Sequence, residues 1–185
     1  MNITKTDLPG VLILEPTYHG DNRGWFVESY SMRTLADNGI DTVFVQDNHS
    51  MSQKKGILRG IHFQNAPESQ VKLVRCIKGT IKDFIVDLRK GSPTYKKWIS
   101  VVLSEANHLQ VYIPEGFGHG FVTLSDDCEI QYKVDKYYNK PCDRSILWCD
   151  PELNIQWDVE DPIMSEKDKL APLLKDSDVN FVYGE

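Results

Sequence analysis

Short apolar runs, each cut off by a turn signal, recur along most of this chain, and that texture points to a β-rich fold. The segments Val11–Glu15, Trp25–Ser29, Thr42–Ser50, Ile57–Gln64, Val71–Lys78, Thr80–Leu88, Trp98–Ser104, Leu109–Ile113, His119–Leu124 and Glu129–Val134 read as strands. The breaks between them, such as Gly20–Gly24, Lys54–Gly56, Gly91–Pro93, Pro114–Gly118 and Ser125–Asp127, carry Gly, Pro, Asn, Asp or Ser, which tolerate turn geometry. Helix is expected only at Met32–Asn38, stopped by Asn38-Gly39, and after a capping box at Ser165-Glu166-Lys167-Asp168. Many short strands with little helix predict an all-β fold with a few short helices, a jelly roll or a related barrel. The chain of 185 residues suits one domain, 1–185. Its tail from about Pro141 is too short for a core of its own and is expected to cover the barrel.

Composition narrows the function classes. Hydrophobic residues at 41% and charged residues at 26% exclude a disordered chain, a collagen and a coiled coil. No run approaches the roughly 20 apolar residues of a membrane helix, and Met1–Gly10 has no apolar core, so a cytoplasmic protein is expected. A net charge of −6 argues against a nucleic-acid face but not against a small anionic ligand held by a local Arg/Lys cluster. Cys76, Cys128, Cys142 and Cys149 contain no C-x-x-C pair, and Cys76 and Cys128 read as buried, reduced thiols.

Alternation within strands separates two faces and finds polar groups on apolar ones. Tyr132 is in phase with Ile130 and Val134, Lys72 with Val74 and Cys76, His119 with Phe117 and Phe121, and His62 with Leu58 and Gly60. Each has an ordinary reading: a satisfied core hydroxyl, a lysine reaching water at a strand end, a hydrogen-bonded core histidine. Four in one small barrel point instead to a polar constellation in an apolar cavity, the usual form of a binding site. Arg23 in Gly20-Asp21-Asn22-Arg23-Gly24 and Arg59 in Leu58-Arg59-Gly60 each read either as a solvated turn or as a fork suited to phosphate oxygens, with glycines that let a ligand approach.

Several longer motifs run in one order: Gly20-Asp21-x-Arg23-Gly24, Phe26-x-Glu28, Arg59-Gly60-Ile61-His62-Phe63-Gln64, Gln70-Val71-Lys72-Leu73-Val74, Pro114-Glu115-Gly116-Phe117-Gly118-His119-Gly120-Phe121 and Ser165-Glu166-Lys167-Asp168. Together they resemble the dTDP-4-dehydrorhamnose 3,5-epimerases and the related sugar-nucleotide 3- and 5-epimerases, from about Gly20 to Pro172. The resemblance implies a cupin-type jelly roll, a homodimer, and a substrate of dTDP-4-dehydro-6-deoxy-D-glucose. It implies His62 as base with Asp168 as its partner, Tyr132 as acid, and Lys72 near the C4 carbonyl. By the same resemblance Arg23, Glu28, Asp47, Asn48, Arg59, His119, Asp143 and Lys167 contact nucleotide or sugar, and Tyr138 stacks on thymine.

The chemistry asks for such residues. Inverting a carbon α to a ketone removes a proton on one face and returns one on the other, so a base and an acid must oppose each other. Histidine suits the base because its ordinary pKa lies near 6.5. A carboxylate behind it would fix its tautomer, although the capping box gives Asp168 a second explanation. A cation such as Lys72 would stabilise the enolate. Nothing is oxidised, and the chain has no G-x-G-x-x-G, so no cofactor is expected. No metal is expected either: His62 is followed by Phe63-Gln64 where metal cupins resemble one another in His-x-His, and two histidines seldom hold a divalent ion. The competing readings are a single-site 3- or 5-epimerase, a non-catalytic nucleotide-sugar-binding jelly roll and a metal-dependent cupin.

Overall fold

The computed structural model describes residues 1–184. In chain order its elements are β1 (Asn2–Lys5), β2 (Leu12–Glu15), β3 (Tyr18–Asp21), β4 (Gly24–Val27), α1 (Met32–Ala36), β5 (Gln46–Ser52), β6 (Leu58–Gln64), β7 (Lys72–Lys78), β8 (Thr80–Asp87), β9 (Trp98–Ser104), β10 (Gln110–Ile113), β11 (Phe117–Thr123), β12 (Cys128–Val134), β13 (Asp143–Ser145) and α2 (Glu166–Lys169). Two antiparallel sheets, ordered β1-β2-β10-β7-β12-β5 and β13-β6-β11-β8-β9, form an all-β jelly roll, with β3 and β4 as a separate hairpin.

Apolar alternation explains the layering. Val74 and Cys76 of β7, Val111 and Ile113 of β10, and Ile130 of β12 meet Ile81 and Ile85 of β8, Leu103 of β9, and Phe117 and Phe121 of β11 in the core between the sheets. The other face of the five-stranded sheet presents Leu58, Ile61, Phe84, Val86 and Val122, and the chain beyond Pro141 covers it with Ile146, Leu153, Trp157, Leu174 and Phe181. Phe84 is fully buried there, its ring 4.3 Å from that of Trp157, worth about 1.5–3 kcal/mol in burial alone. Leu14 and Leu73 on the outer face of the six-stranded sheet pack under Leu35 of α1 and Ile40.

The structure moves several expected boundaries. Residues 42–45 do not pair as a strand; Phe44 stacks edge-on against Tyr30 and Thr42 bonds the Tyr112 hydroxyl, so this stretch is a cover and β5 begins at Gln46. Residues 2–5, 18–21 and 143–145 form β1, β3 and β13, which the apolar pattern did not indicate. These pieces are short and largely polar. Edge pairing holds such strands through backbone hydrogen bonds, so no alternating pattern is required of them. The helix at Met32–Ala36 is shorter than expected, with Ser31 as its cap.

The most consequential difference is in β6. Its register against β11 passes from Phe121↔Arg59 to His119↔His62, which places one extra residue on β6. Gly60 sits at this bulge with φ of +129°, and a Cβ there would lie 2.4 Å from the Gly120 Cα, so no other residue fits. Strict alternation put His62 in phase with Leu58 and Gly60. The bulge resets the phase: Leu58, Ile61 and Phe63 join the outer core, while Arg59, His62 and Gln64 line the space between the sheets.

Candidate active site

The two sheets part at one end of the sandwich and leave a cleft of about 390 Å³. β6 contributes Arg59, His62 and Gln64, and β11 contributes His119. The facing sheet contributes Gln46, Asn48 and Ser50 from β5, Lys72 from β7 and Tyr132 from β12. Tyr138, Asp143 and Lys167 form one rim.

His62 Nε2 lies 2.5 Å from Asp168 Oδ1, and Asp168 is only 3% exposed. The short helix α2 makes this possible. Its cap, Ser165, accepts the backbone N–H of Asp168 at 3.2 Å, which leaves the carboxylate free to turn to His62. The two explanations of Asp168 therefore coexist: its main chain is capped and its side chain is paired. Burial works against the carboxylate's charge, but the hydrogen bond and charge of His62, with help from Ser165 and Lys167, hold it below the usual carboxylate range. An ionised carboxylate only accepts, so Nε2 carries the proton and Nδ1 is the basic nitrogen.

Tyr132 stands on the opposite sheet and packs against the inner core. Burial raises its pKa, with Arg59 opposing, so the phenol stays protonated at neutral pH. Lys72 does not reach solvent as a strand-end lysine would; it is 9% exposed and lines the cleft. Burial brings it down to about 8, against the pull of Asp83 and then Asp143. His119 Nε2 lies 2.8 Å from Asp83 Oδ2, and burial lowers the imidazole, with Asp83 opposing. At the rim, Lys167 pairs with Asp143 at 2.5 Å, and the Tyr138 hydroxyl donates to the same carboxylate at 3.2 Å. Arg59 is steadied by the Met51 carbonyl at 3.2 Å and Ser52 Oγ at 3.3 Å.

Three expected contact residues lie outside this cleft within the chain. Arg23 is paired with Asp21 at 2.5 Å, its side chain 86% exposed on the β3–β4 hairpin. Glu28 accepts from the Thr34 hydroxyl beside α1. Asp47 alternates with Asn48, so it points to the other face of β5, where it pairs with Lys133 at 2.8 Å and lines a second cavity. In the other direction, Gln46, Ser50, Gln64 and Asp83 belong to the site or its floor, and sequence reasoning missed them. Asp83 had a signal, because it is in phase with Ile81 and Ile85 on β8. Among the described residues no group of three His, Cys, Asp or Glu side chains is placed to hold a metal ion. All four cysteines are free, and burial pushes Cys76 up to about 12.

A family model described as dTDP-4-dehydrorhamnose 3,5-epimerase matches residues 5–176. The dTDP-4-dehydrorhamnose 3,5-epimerase of Shigella flexneri is 49% identical over 179 residues, covering 96% of this chain and 98% of that one. The chain belongs to this epimerase family. It is an isomerase with an all-β jelly-roll fold, as the strand pattern allowed and the motif resemblance implied. The dTDP-4-dehydrorhamnose 3,5-epimerase of Bacillus anthracis str. Ames, solved with TDP and PPi bound, superposes with a TM-score of 0.91 at 46% identity, covering 93% of this chain and 98% of that one. The dTDP-6-deoxy-D-glucose-3,5-epimerase of Legionella pneumophila, solved with dTDP-4-keto-L-rhamnose, gives a TM-score of 0.91 at 42% identity, covering 96% and 94%. Among the described residues no helix of this epimerase is long and apolar enough to cross a membrane.

Proposed function

We infer that this epimerase inverts C3 and C5 of dTDP-4-dehydro-6-deoxy-D-glucose, giving dTDP-4-dehydro-L-rhamnose. One observation carries the reading: a histidine backed by a buried carboxylate shares a cleft with a protonated tyrosine on the opposite sheet. His62 Nδ1 takes the proton α to the C4 ketone. Asp168 stabilises the imidazolium that forms. Charge then grows on the C4 oxygen, and the Lys72 ammonium meets it in a site with little water, an effect worth a few kcal/mol. Tyr132 returns a proton to the other face. Each step moves only a proton, so the chemistry needs no electron carrier. Arg59 and Lys167 supply positive charge for the diphosphate, with Asn48, His119 and Asp143 as further polar contacts. Proton NMR of the sugar nucleotide in D₂O with EDTA tests the reading. Deuterium entering at both C3 and C5 is expected, entry at one carbon would make this a single-site epimerase, and none would reject the reaction.

Tyr138 is 59% exposed at the rim, held by Asp143, and serves as the platform for thymine. Stacking of a base on an aromatic ring is worth about 1–3 kcal/mol. Tyr138→Ala is therefore expected to raise KM about 5- to 150-fold while changing kcat little; steady-state kinetics showing mainly a kcat loss would remove it from base binding.

The working unit is proposed to be a homodimer. The β3–β4 hairpin stands apart from both sheets and exposes Trp25 (64%) and Phe26 (69%), with Arg23 and Glu28 beside them and outside their own cleft. A second copy would cover the aromatic rings and would receive these charged residues at its cleft. Trp25→Ser combined with Phe26→Ser is expected to give a monomer by sedimentation, with kcat/KM reduced at least tenfold. A monomeric parent protein of full activity would overturn the arrangement.

A further inference from the structure

Asp83 is a buried ionisable group, hydrogen-bonded to a cleft residue, that the reaction scheme leaves without a task. It is fully buried in the middle of β8, in phase with Ile81 and Ile85, where an apolar side chain would complete the inner core. One carboxylate oxygen accepts from His119 at 2.8 Å, and the other has no hydrogen-bond partner. Burying an ionisable group with an unsatisfied oxygen destabilises a fold, so packing does not explain why a carboxylate stands here. Strongly perturbed buried groups beside a cleft are more often part of its chemistry.

We propose that Asp83 is a positioning residue for the epimerisation, its carboxylate keeping the Lys72 ammonium charged and His119 in one tautomer beneath the C4 oxygen. The inference rests on the function proposed above. Lys72 enters the cleft from β7 and His119 from β11, and Asp83 pairs with Phe121, two residues from His119, in the β8–β11 register. The other ionisable groups facing this space are His62 and Arg59 of β6, Tyr132 of β12, Tyr138 at the rim, Asp143 of β13 and Lys167 of α2. Of the carboxylates acting on Lys72, Asp83 acts most strongly and Asp143 next. Burial drives Lys72 toward its neutral amine, which could not stabilise an enolate. The negative charge of Asp83 opposes that drift. The neutral His119 imidazole donates Nε2–H to Asp83, which directs Nδ1 away from it.

The test is the pH profile of kcat for Asp83→Asn and Asp83→Glu. In the parent protein the alkaline limb should fall near pH 8, where Lys72 loses its proton. Removing a negative charge beside an ammonium lowers its pKa, so in Asp83→Asn the alkaline limb should move to lower pH by about one unit. At pH values above both limbs that is about a tenfold loss. The acid limb should stay in place, and Asp83→Glu should restore the alkaline limb even if kcat is lower. An equal loss at every pH with the limb unmoved would mean a purely structural role and overturn the assignment. If the Asn variant fails to fold, judged by dTDP binding, Asp83→Ser removes the same charge with less bulk and is read the same way. A parent protein that exchanges neither carbon overturns the proposed function itself. Exchange in the parent with an unmoved limb in the charge-removing variant overturns only the role of Asp83.

Discussion

His62→Ala is expected to abolish solvent exchange at both C3 and C5 while leaving the affinity for dTDP nearly unchanged. Both halves follow from where the residue stands. His62 is the imidazole backed by Asp168, so no neighbour replaces it as base, and loss of a general base costs about 10²–10⁴-fold. The groups proposed to hold the nucleotide, Tyr138, Asp143 and Lys167, hydrogen-bond one another at the rim and do not depend on the imidazole. The variant also strips Asp168 of the partner that keeps its carboxylate charged, so His62→Gln, which can still donate a hydrogen bond, controls for stability. Deuterium incorporation and dTDP titration on the same samples separate the outcomes. Retained exchange at either carbon would remove His62 as the common base, and parallel loss of dTDP binding would mean that the cleft had collapsed.

The inner strands were legible because their alternation is enforced by burial. β7, β8, β11 and β12 place apolar residues between the sheets, and their limits differ from the expected ones by one or two residues. The hairpin strand β3 and the edge strands β1 and β13 were not legible, because backbone pairing holds them with little apolar burial. The site shows the same division. Around Lys72, His119 and Tyr132 the inward alternation of their own strands is unbroken, and it sent them to the cleft. His62 reaches it only through the bulge at Gly60, which no period-two pattern contains. Asp168 was ambiguous because one short turn serves both as helix cap and as partner of the imidazole. Arg23 and Glu28 could not be placed from alternation, since they sit on or just after the β3–β4 hairpin, outside the cleft of their own chain. The motif resemblance covered what the periodicity could not, because it records residues brought together by such irregular features.

Tyr132→Phe is expected to separate two events that occur together in the parent protein. His62 would still take the α proton, because Lys72 would still stabilise the enolate. In D₂O the deuteron would then return from the same imidazole to the same face, so exchange would continue without inversion. Epimerised product should fall by about 10²–10⁴-fold while deuterium washes in, most plainly at C5. The phenyl ring keeps the packing of Tyr132 against the inner core, so loss of structure is a small part of the effect. The phenol also cannot set the alkaline limb of the rate profile. Burial raises its pKa above the ordinary tyrosine value, whereas Lys72 lies near 8, so the amine loses its proton first. The Phe variant should therefore lose inversion at every pH in the working range and keep the alkaline limb for exchange. Product at the parent rate would reject Tyr132 as the acid, and exchange that fell in step with inversion would mean that Tyr132 acts before the enolate forms, on binding or on proton removal.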